Sequence, residues 1–263
     1  MKRMQLVELE DLPWFPAILR DGGTAYIELV GRKAGHSAML APTLGRALKQ
    51  SGASRIVDLC SGGGGPVRCI SEALHAQGQP VQVLLSDLYP NRGSLDHVAA
   101  TSAGRVQVHP QPVDATAVPP ELDGFRTLFN AFHHFPPEAA RAILADAVHK
   151  RRPIGVFEVV SREPLTLIGI LMAPLIITLS LPFWRPFKWQ WILWTWLIPL
   201  MQPFVVWDGV VSWLRVYSVE ELRELVAGIE APDWEWEIGT IKLGEAPAHA
   251  TYLLGRPVEP AAA

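Results

Sequence analysis

Four glycines in a row, 62–65, follow Cys60 and Ser61 and lead into Pro66. Glycine lets a backbone approach a ligand without a Cβ clash, and the free amides of a helix start donate to anionic or polar groups. Carboxylates accompany the run. Asp58 stands just before it, Asp87 closes the next apolar run, and Asp114 follows a third. An acid at the place of Asp87 is where nucleotide-binding βαβ units hold ribose hydroxyls. Beyond a fourth apolar run come Asn130 and the pair His133 and His134; a histidine titrates near working pH and suits proton transfer. Tyr26, His36 and Glu158 are further groups that could face such a pocket. Cys60 and Cys69 lack the paired thiol or histidine spacing of metal ligands, so no metal is expected there.

These residues need strands that end together. Short apolar runs at 55–59, 81–86, 105–109, 125–129 and 154–160 alternate with helical stretches, the pattern of a parallel sheet covered by helices. Pro66 stands where a missing amide hydrogen costs nothing, ahead of Val67, Ile70 and Leu74 at core spacing; a later helix starts near Pro136 and carries Ile143 and Leu144. Ser218 and Glu221 have capping-box spacing before Leu222 and Leu225. The alternation at Trp234, Trp236 and Ile238, and the run 251–254, predict a closing strand pair, with Ala261 to Ala263 as a loose tail. Residues 1–50 read as an amphipathic helical cap, from Leu12, Phe15, Ile18 and Leu19 and then Leu40, Leu44 and Leu48.

Composition bounds the rest. The 263 residues are 49% hydrophobic and 19% charged, with net charge −3. That is too apolar for a disordered chain and lacks the basic footprint of a nucleic-acid binder. Two cysteines and a start without an apolar signal core predict a reducing, cytoplasmic setting. Seven of the ten tryptophans fall between Trp184 and Trp213, and between Glu163 and Asp208 the only charged residues are Arg185 and Lys188. Two uncharged arms, 165–183 and 190–206, flank that turn; the first could reach ~28 Å as a helix. Pro174, Pro182, Pro199 and Pro203, and a basic turn on the wrong side for a spanning hairpin, favour a helical hairpin that dips into one leaflet or folds over the site as an apolar lid. A buried helical subdomain and a true span are the alternatives.

With these residues placed, the sequence resembles the class I S-adenosylmethionine-dependent methyltransferases over about 50–162 and again from about 217. Ile56-Val-Asp-Leu-Cys-Ser-Gly-Gly-Gly64 looks like their glycine motif, with Cys60 in place of the first glycine. The resemblance implies a Rossmann-like α/β fold with a seven-stranded, mostly parallel sheet and helices on both faces. It divides the chain into a cap (1–50), a cofactor-binding core (51–162), an apolar hairpin insert (163–216) and the rest of the core (217–263). It implies S-adenosylmethionine as cofactor, bound by Asp58, Cys60, Ser61, Gly62, Gly63, Gly64, Asp87, Leu88, Asp114, Ala115 and Asn130. The run Phe132-His133-His134-Phe135 is similar to the segment carrying the catalytic histidine of small-molecule O-methyltransferases, with His133 at the matching position and His134 as second candidate. The expected reaction is methylation, preferably at oxygen, of a lipophilic acceptor such as a quinone, polyketide or lipid, at the inner face of a membrane contacted through 163–216. A membrane-associated scaffold or sensor that binds the cofactor without catalysis, and a nicotinamide oxidoreductase, are the other readings. Asp58 and the late position of the glycines disfavour the last.

Overall fold

The computed structural model describes residues 2–245 and 247–258; the tail 261–263 lies outside the described residues. The helical cap begins later than its apolar spacing predicts. Residues 2–8 form no regular element and a 3-10 turn covers Leu9–Asp11, while α1 (Ala17–Lys33) starts only after Pro16 and is followed by α2 (His36–Ser51). Pro13 and Pro16 explain the delay: each lacks an amide donor and pushes the preceding residue toward extended backbone.

The core alternates as the apolar runs predict: β1 (Arg55–Asp58), α3 (Gly65–Ala76), β2 (Gln82–Leu85), α4 (Arg92–Thr101), β3 (Val106–Val108), β4 (Phe125–Phe129), α5 (Pro137–His149) and β5 (Ile154–Glu158). After the apolar segment, described below, the chain returns through α10 (Val219–Ala227), β6 (Trp234–Lys242) and β7 (His249–Pro257). The seven strands form one sheet in the order β3-β2-β1-β4-β5-β7-β6. β1 to β5 pair parallel, and β7 is antiparallel to both β5 and β6.

Because side chains alternate along a strand, each face of the sheet carries its own core. Ile56, Val83, Leu85 and Phe125 pack with Leu44, Leu48, Ile70 and Leu74 of α2 and α3. Val57, Leu84, Leu128 and Val156 pack on the other side with Ile143 and Leu144 of α5 and Leu222 and Leu225 of α10. The start of α10 has the expected capping box: Ser218 Oγ accepts from the Glu221 amide, and Glu221 Oε2 from that of Ser218.

Between β5 and α10 the apolar segment is not a straight hairpin. It forms α6 (Pro164–Leu171), α7 (Ala173–Ser180), a 3-10 turn (Leu181–Phe183), α8 (Gln190–Ile192) running into a π turn (Leu193–Leu197), and α9 (Met201–Arg215). Pro174, Pro182 and Pro199 stand at or beside the breaks, where their missing amides interrupt the helical ladder. Ile177, Leu181, Trp184, Trp191, Met201 and Phe204 bury a third core against Phe15, Leu19, Tyr26 and Leu29, so this segment and α1 are one packed unit. The approach is close. A Cβ on Gly22 would lie 2.3 Å from the Met201 methyl, so any larger residue there displaces that side chain.

Candidate active site

The carboxyl ends of β1, β2, β3 and β4 bring the expected acids and glycines to one edge of the sheet. Leaving β1, the chain turns through Cys60 at φ 57 and Gly64 at φ 76 before α3 begins. Cys60 thus holds a left-handed conformation that suits glycine, which is the backbone reason a glycine is usual at such a position. Burial pushes its thiol pKa upward, with Asp87, Asp58 and Asp114 adding to the effect, which favours the neutral thiol.

Asp58 faces inward. Its Oδ1 accepts from Thr127 Oγ1 at 2.7 Å and its Oδ2 from Ser61 Oγ at 2.8 Å. The Ser61 hydroxyl accepts in turn from the Ser86 amide, and the Ser61 amide donates to the Ser86 carbonyl. Asp58 therefore fixes the glycine loop through Ser61. Burial raises its pKa to about 7 against these hydrogen bonds, with the Asp87 charge raising it further.

Asp87 is half-exposed at the mouth of the loop. Its Oδ2 accepts from the Gly62 amide at 2.9 Å and its Oδ1 from the Tyr89 amide at 2.8 Å. The Asp87 carbonyl takes the Val113 amide at 3.0 Å, which ties the loop after β3 to the loop after β2. Asp114 is exposed, its Oδ1 held by the amide and hydroxyl of Thr116, while the Ala115 beside it is buried. Leu88 is exposed next to Asp87. Gly63 lines a cavity shared with Thr24 and Glu28 of α1 and with Arg185 and Trp191 of the apolar segment. Asn130, at φ 50, uses its Oδ1 to accept from the Val159 amide and so joins the ends of β4 and β5.

The histidine pair lies on a 3-10 turn, Phe132–His134, directly after β4. The buried His133 gives its amide to Glu158 Oε1 at 3.0 Å and places Nδ1 2.8 Å from Glu158 Oε2. A carboxylate only accepts, so Nδ1 carries a proton that it donates to Glu158. That Nε2 lies 3.7 Å from Oε1 of Glu8, which is fully buried. His134 Nδ1 is 2.9 Å from Asp11 Oδ1 and 3.4 Å from Glu8 Oε2. Burial lowers the pKa of His134, but the Asp11 hydrogen bond and the charges of Glu8, Glu10 and Asp11 outweigh it and carry it to about 9. The acids around His134 thus favour its charged form, whereas His133 Nε2 faces Glu8 at 3.7 Å without a hydrogen bond.

The sequence did not single out Glu8, Asp11, Asp208 or Arg215, which enclose this pair. Arg215 reaches Asp11 at 2.7 Å and Glu8 at 3.3 Å, and also donates to the His133 and His134 carbonyls. Asp208 accepts the Leu9 and Glu10 amides at 2.7 and 3.0 Å. Burial raises Asp208 to about 7 against those two bonds, with Glu10 and Glu8 pushing the same way. The only signal available was that Asp208 and Arg215 interrupt an otherwise uncharged stretch opposite an acidic start, Glu8-Leu-Glu-Asp11.

No protein-family model and no curated protein matches this sequence. Solved structures do. The plantazolicin methyltransferase BpumL, in complex with SAH, superposes with TM-score 0.52 at 12% identity, over 91% of this chain and 95% of that one. The two chains share one fold, a Rossmann-like α/β sheet. The mitomycin 7-O-methyltransferase MmcR has TM-score 0.49 at 16% identity, over 85% of this chain and 54% of its own, so this chain spans about half of that protein. The neocarzinostatin O-methyltransferase NcsB1, in complex with S-adenosylmethionine and 2-hydroxy-5-methyl naphthoic acid, has TM-score 0.46 at 16% identity, over 88% and 60% of the two chains. On this sheet, the glycine loop, Asp87 and Asp114 lie together in the crevice at the carboxyl ends of the strands, where open α/β sheets receive ligands.

Proposed function

We propose that this protein transfers a methyl group from S-adenosylmethionine to the hydroxyl of a lipophilic small molecule. The observation that carries the reading is the Asp87 carboxylate anchored on the Gly62 amide of the glycine loop, on the Rossmann-like sheet. The oxygens of Asp87 have lone pairs left for two ribose hydroxyls, and Leu88, Asp114 and Ala115 are the residues for the adenine. Cys60, Ser61, Gly62, Gly63 and Gly64 shape the loop against the cofactor, Asp58 holds that shape, and Asn130 closes the methionine end.

The donor supplies an activated methyl on sulfur. With the donor held by the glycine loop and Asp87, its methyl would be available to the acceptor oxygen, and His133 Nε2 would take the hydroxyl proton released there. Glu158 holds the ring in the required tautomer and stabilises the imidazolium that forms. Because Glu8 stands 3.7 Å from Nε2, an acceptor reaches that nitrogen only when residues 2–11 shift. His134, charged and paired with Asp11, orients that stretch rather than taking the proton. The apolar segment inserted between β5 and α10 supports a hydrophobic acceptor.

The same closure by Glu8 favours a second reading, a protein that binds the cofactor as a sensor without turning it over. Measuring S-adenosylhomocysteine release with a panel of lipophilic phenols and hydroquinones separates the two. Release above the acceptor-free blank is expected; binding of the donor with no release from any acceptor selects the sensor. Calorimetry showing affinity for a nicotinamide dinucleotide and none for S-adenosylmethionine would overturn both.

A further inference from the structure

We propose that the outer face of the 164–207 segment, bordered by Trp14, docks on a lipid bilayer by partial insertion of α6, α7 and the π turn. The inner side of the segment is accounted for: Ala173, Ile177, Leu181 and Trp184 pack into the core with α1. The outer side should then be polar in a protein surrounded by water. It is not. Leu165, Ile168, Met172, Leu175 and Leu179 recur every three or four residues along α6 and α7 and are all exposed, Leu179 at 66%. Phe183, Trp189, Trp196, Leu197 and Trp207 extend the exposed apolar surface through the π turn to α9. Contiguous apolar surface on this scale marks a site of association.

The polar groups decide between lipid and protein as the occupant. Those of this segment turn inward: Thr178 Oγ1 donates to the Pro174 carbonyl, Gln202 Nε2 to that of Thr195, and Trp184 Nε1 to Ser180 Oγ. Two of the exposed indoles spend their N–H groups on the protein, Trp196 on the Thr178 carbonyl at 3.2 Å and Trp207 on that of Val7 at 3.1 Å. These rings can therefore enter hydrocarbon without an orphaned donor. A second protein surface would find no polar rim along the stripe, whereas protein interfaces carry about one hydrogen bond per 100–200 Å².

Depth and orientation follow from the breaks and the charges. No single helix among the described residues is long and apolar enough to cross a membrane, and the two pairs with the required composition are bent by 47° and 84°. The segment thus enters one leaflet and returns. From 164 to 207 there is no acid, and Arg185 and Lys188 at the turn between the arms complement anionic headgroups, with Lys188 also tied to Asp21 at 2.6 Å. The cavity that Gly63 shares with Arg185 and Trp191 lies beside this face. A docked protein would meet acceptors dissolved in the lipid, a consequence that rests on the methyl-transfer reading; the docking itself does not.

Flotation of the full chain with phosphatidylcholine vesicles, with and without phosphatidylglycerol, tests this. The protein is expected to float with both, and more with the anionic ones at low salt. The triple variant Ile168→Glu, Leu175→Glu, Leu179→Glu should float at least tenfold less while keeping wild-type affinity for S-adenosylhomocysteine. Should that variant not fold, quenching of wild-type tryptophan fluorescence by brominated lipid gives the answer: quenching supports insertion and its absence overturns it. Wild-type protein that stays unfloated overturns the docking, and so does a dimer in vesicle-free solution that the triple variant dissociates, which would assign the face to a second copy. Flotation without cofactor affinity would leave the docking standing and remove the methyl-transfer reading.

Discussion

Glu158 engages His133 twice, through the backbone amide at 3.0 Å and through ring Nδ1 at 2.8 Å. The first contact fixes where the turn after β4 leaves the sheet, and the second fixes which ring nitrogen holds the proton. Both come from the last residue of β5, a rigid central strand, so the ring is oriented by the sheet itself. Glu158→Gln keeps the volume but loses the charge that stabilises an imidazolium. It should lower turnover about a hundredfold and leave the affinity for S-adenosylmethionine unchanged. His133→Ala should do the same. Single-turnover rates beside calorimetric affinities check both; an unaltered rate in His133→Ala would remove the histidine from the chemistry.

Asp87 is the one expected cofactor acid whose carboxylate reaches both the glycine loop and the open crevice. Asp87→Ala removes the ribose acceptors together with the Gly62 and Tyr89 anchors. Losing charge-assisted hydrogen bonds of ~1.5–3 kcal/mol should weaken S-adenosylmethionine binding about ten- to a hundredfold, as read by calorimetry. Asp114→Ala should cost less, because its mapped bonds are local ones to Thr116.

How far these residues could be read beforehand depends on the distance over which their determinants act. The five parallel strands were legible to within a residue or two, because each apolar run is itself the buried strand; the antiparallel pair β6 and β7 runs longer than the alternation showed. The link between Asp58, the glycine loop and Asp87 was legible because β1, the turn and β2 are consecutive. The first helix was misplaced because an apolar spacing through Leu12 and Phe15 looks helical until the geometry of Pro13 and Pro16 is imposed. The pairing of Arg215 with Asp11 and Glu8 was not legible at all: it joins residues about 200 positions apart, and only the packing of α9 over the start of the chain brings them together. For the same reason Glu158 stood out only beside Tyr26 and His36 as a group that could face the pocket, with nothing local to name His133 as its partner.

Asp58 predicts an unusual pH response. Its carboxyl, buried between β1 and β4, has its pKa raised to about 7 from the ordinary 3.8. The folded state therefore prefers the protonated form. The stabilising effect of that preference is fully present below the ordinary value and is lost as pH rises through about 7. Asp58→Asn keeps an acceptor for Thr127 and lets its amide donate to Ser61 Oγ, without the charge. At pH 8 the variant should be more stable than wild type by at least about 1 kcal/mol, and the gain should vanish toward pH 4. Urea unfolding at the two pH values measures this, and a variant less stable at pH 8 would show that the ionised carboxylate is needed.

His134 predicts a dependence of the same sign, at higher pH and from a different cause. The Asp11 hydrogen bond and the Glu8, Glu10 and Asp11 charges overcome the opposing effect of burial and hold its folded-state pKa near 9, above the ordinary 6.5. Its ion pairs thus contribute their full stability below pH 6.5 and lose it as pH rises through 9. His134→Asn should lower Tm at pH 6, where the wild-type ring is charged in both states but paired only in the folded one, and the difference from wild type should shrink toward zero by pH 10. Asp11 moves in the reverse sense: although burial opposes it, His134 and Arg215 bring its pKa down to about 2, so its contribution persists until strongly acid pH. Thermal unfolding of the His134→Asn and Asp11→Asn variants across pH 3–10 distinguishes the two ends of the pair. If the His134→Asn deficit stayed constant from pH 6 to pH 10, the ring would be holding residues 2–11 by packing alone, and its charge would have no part in closing that stretch over His133.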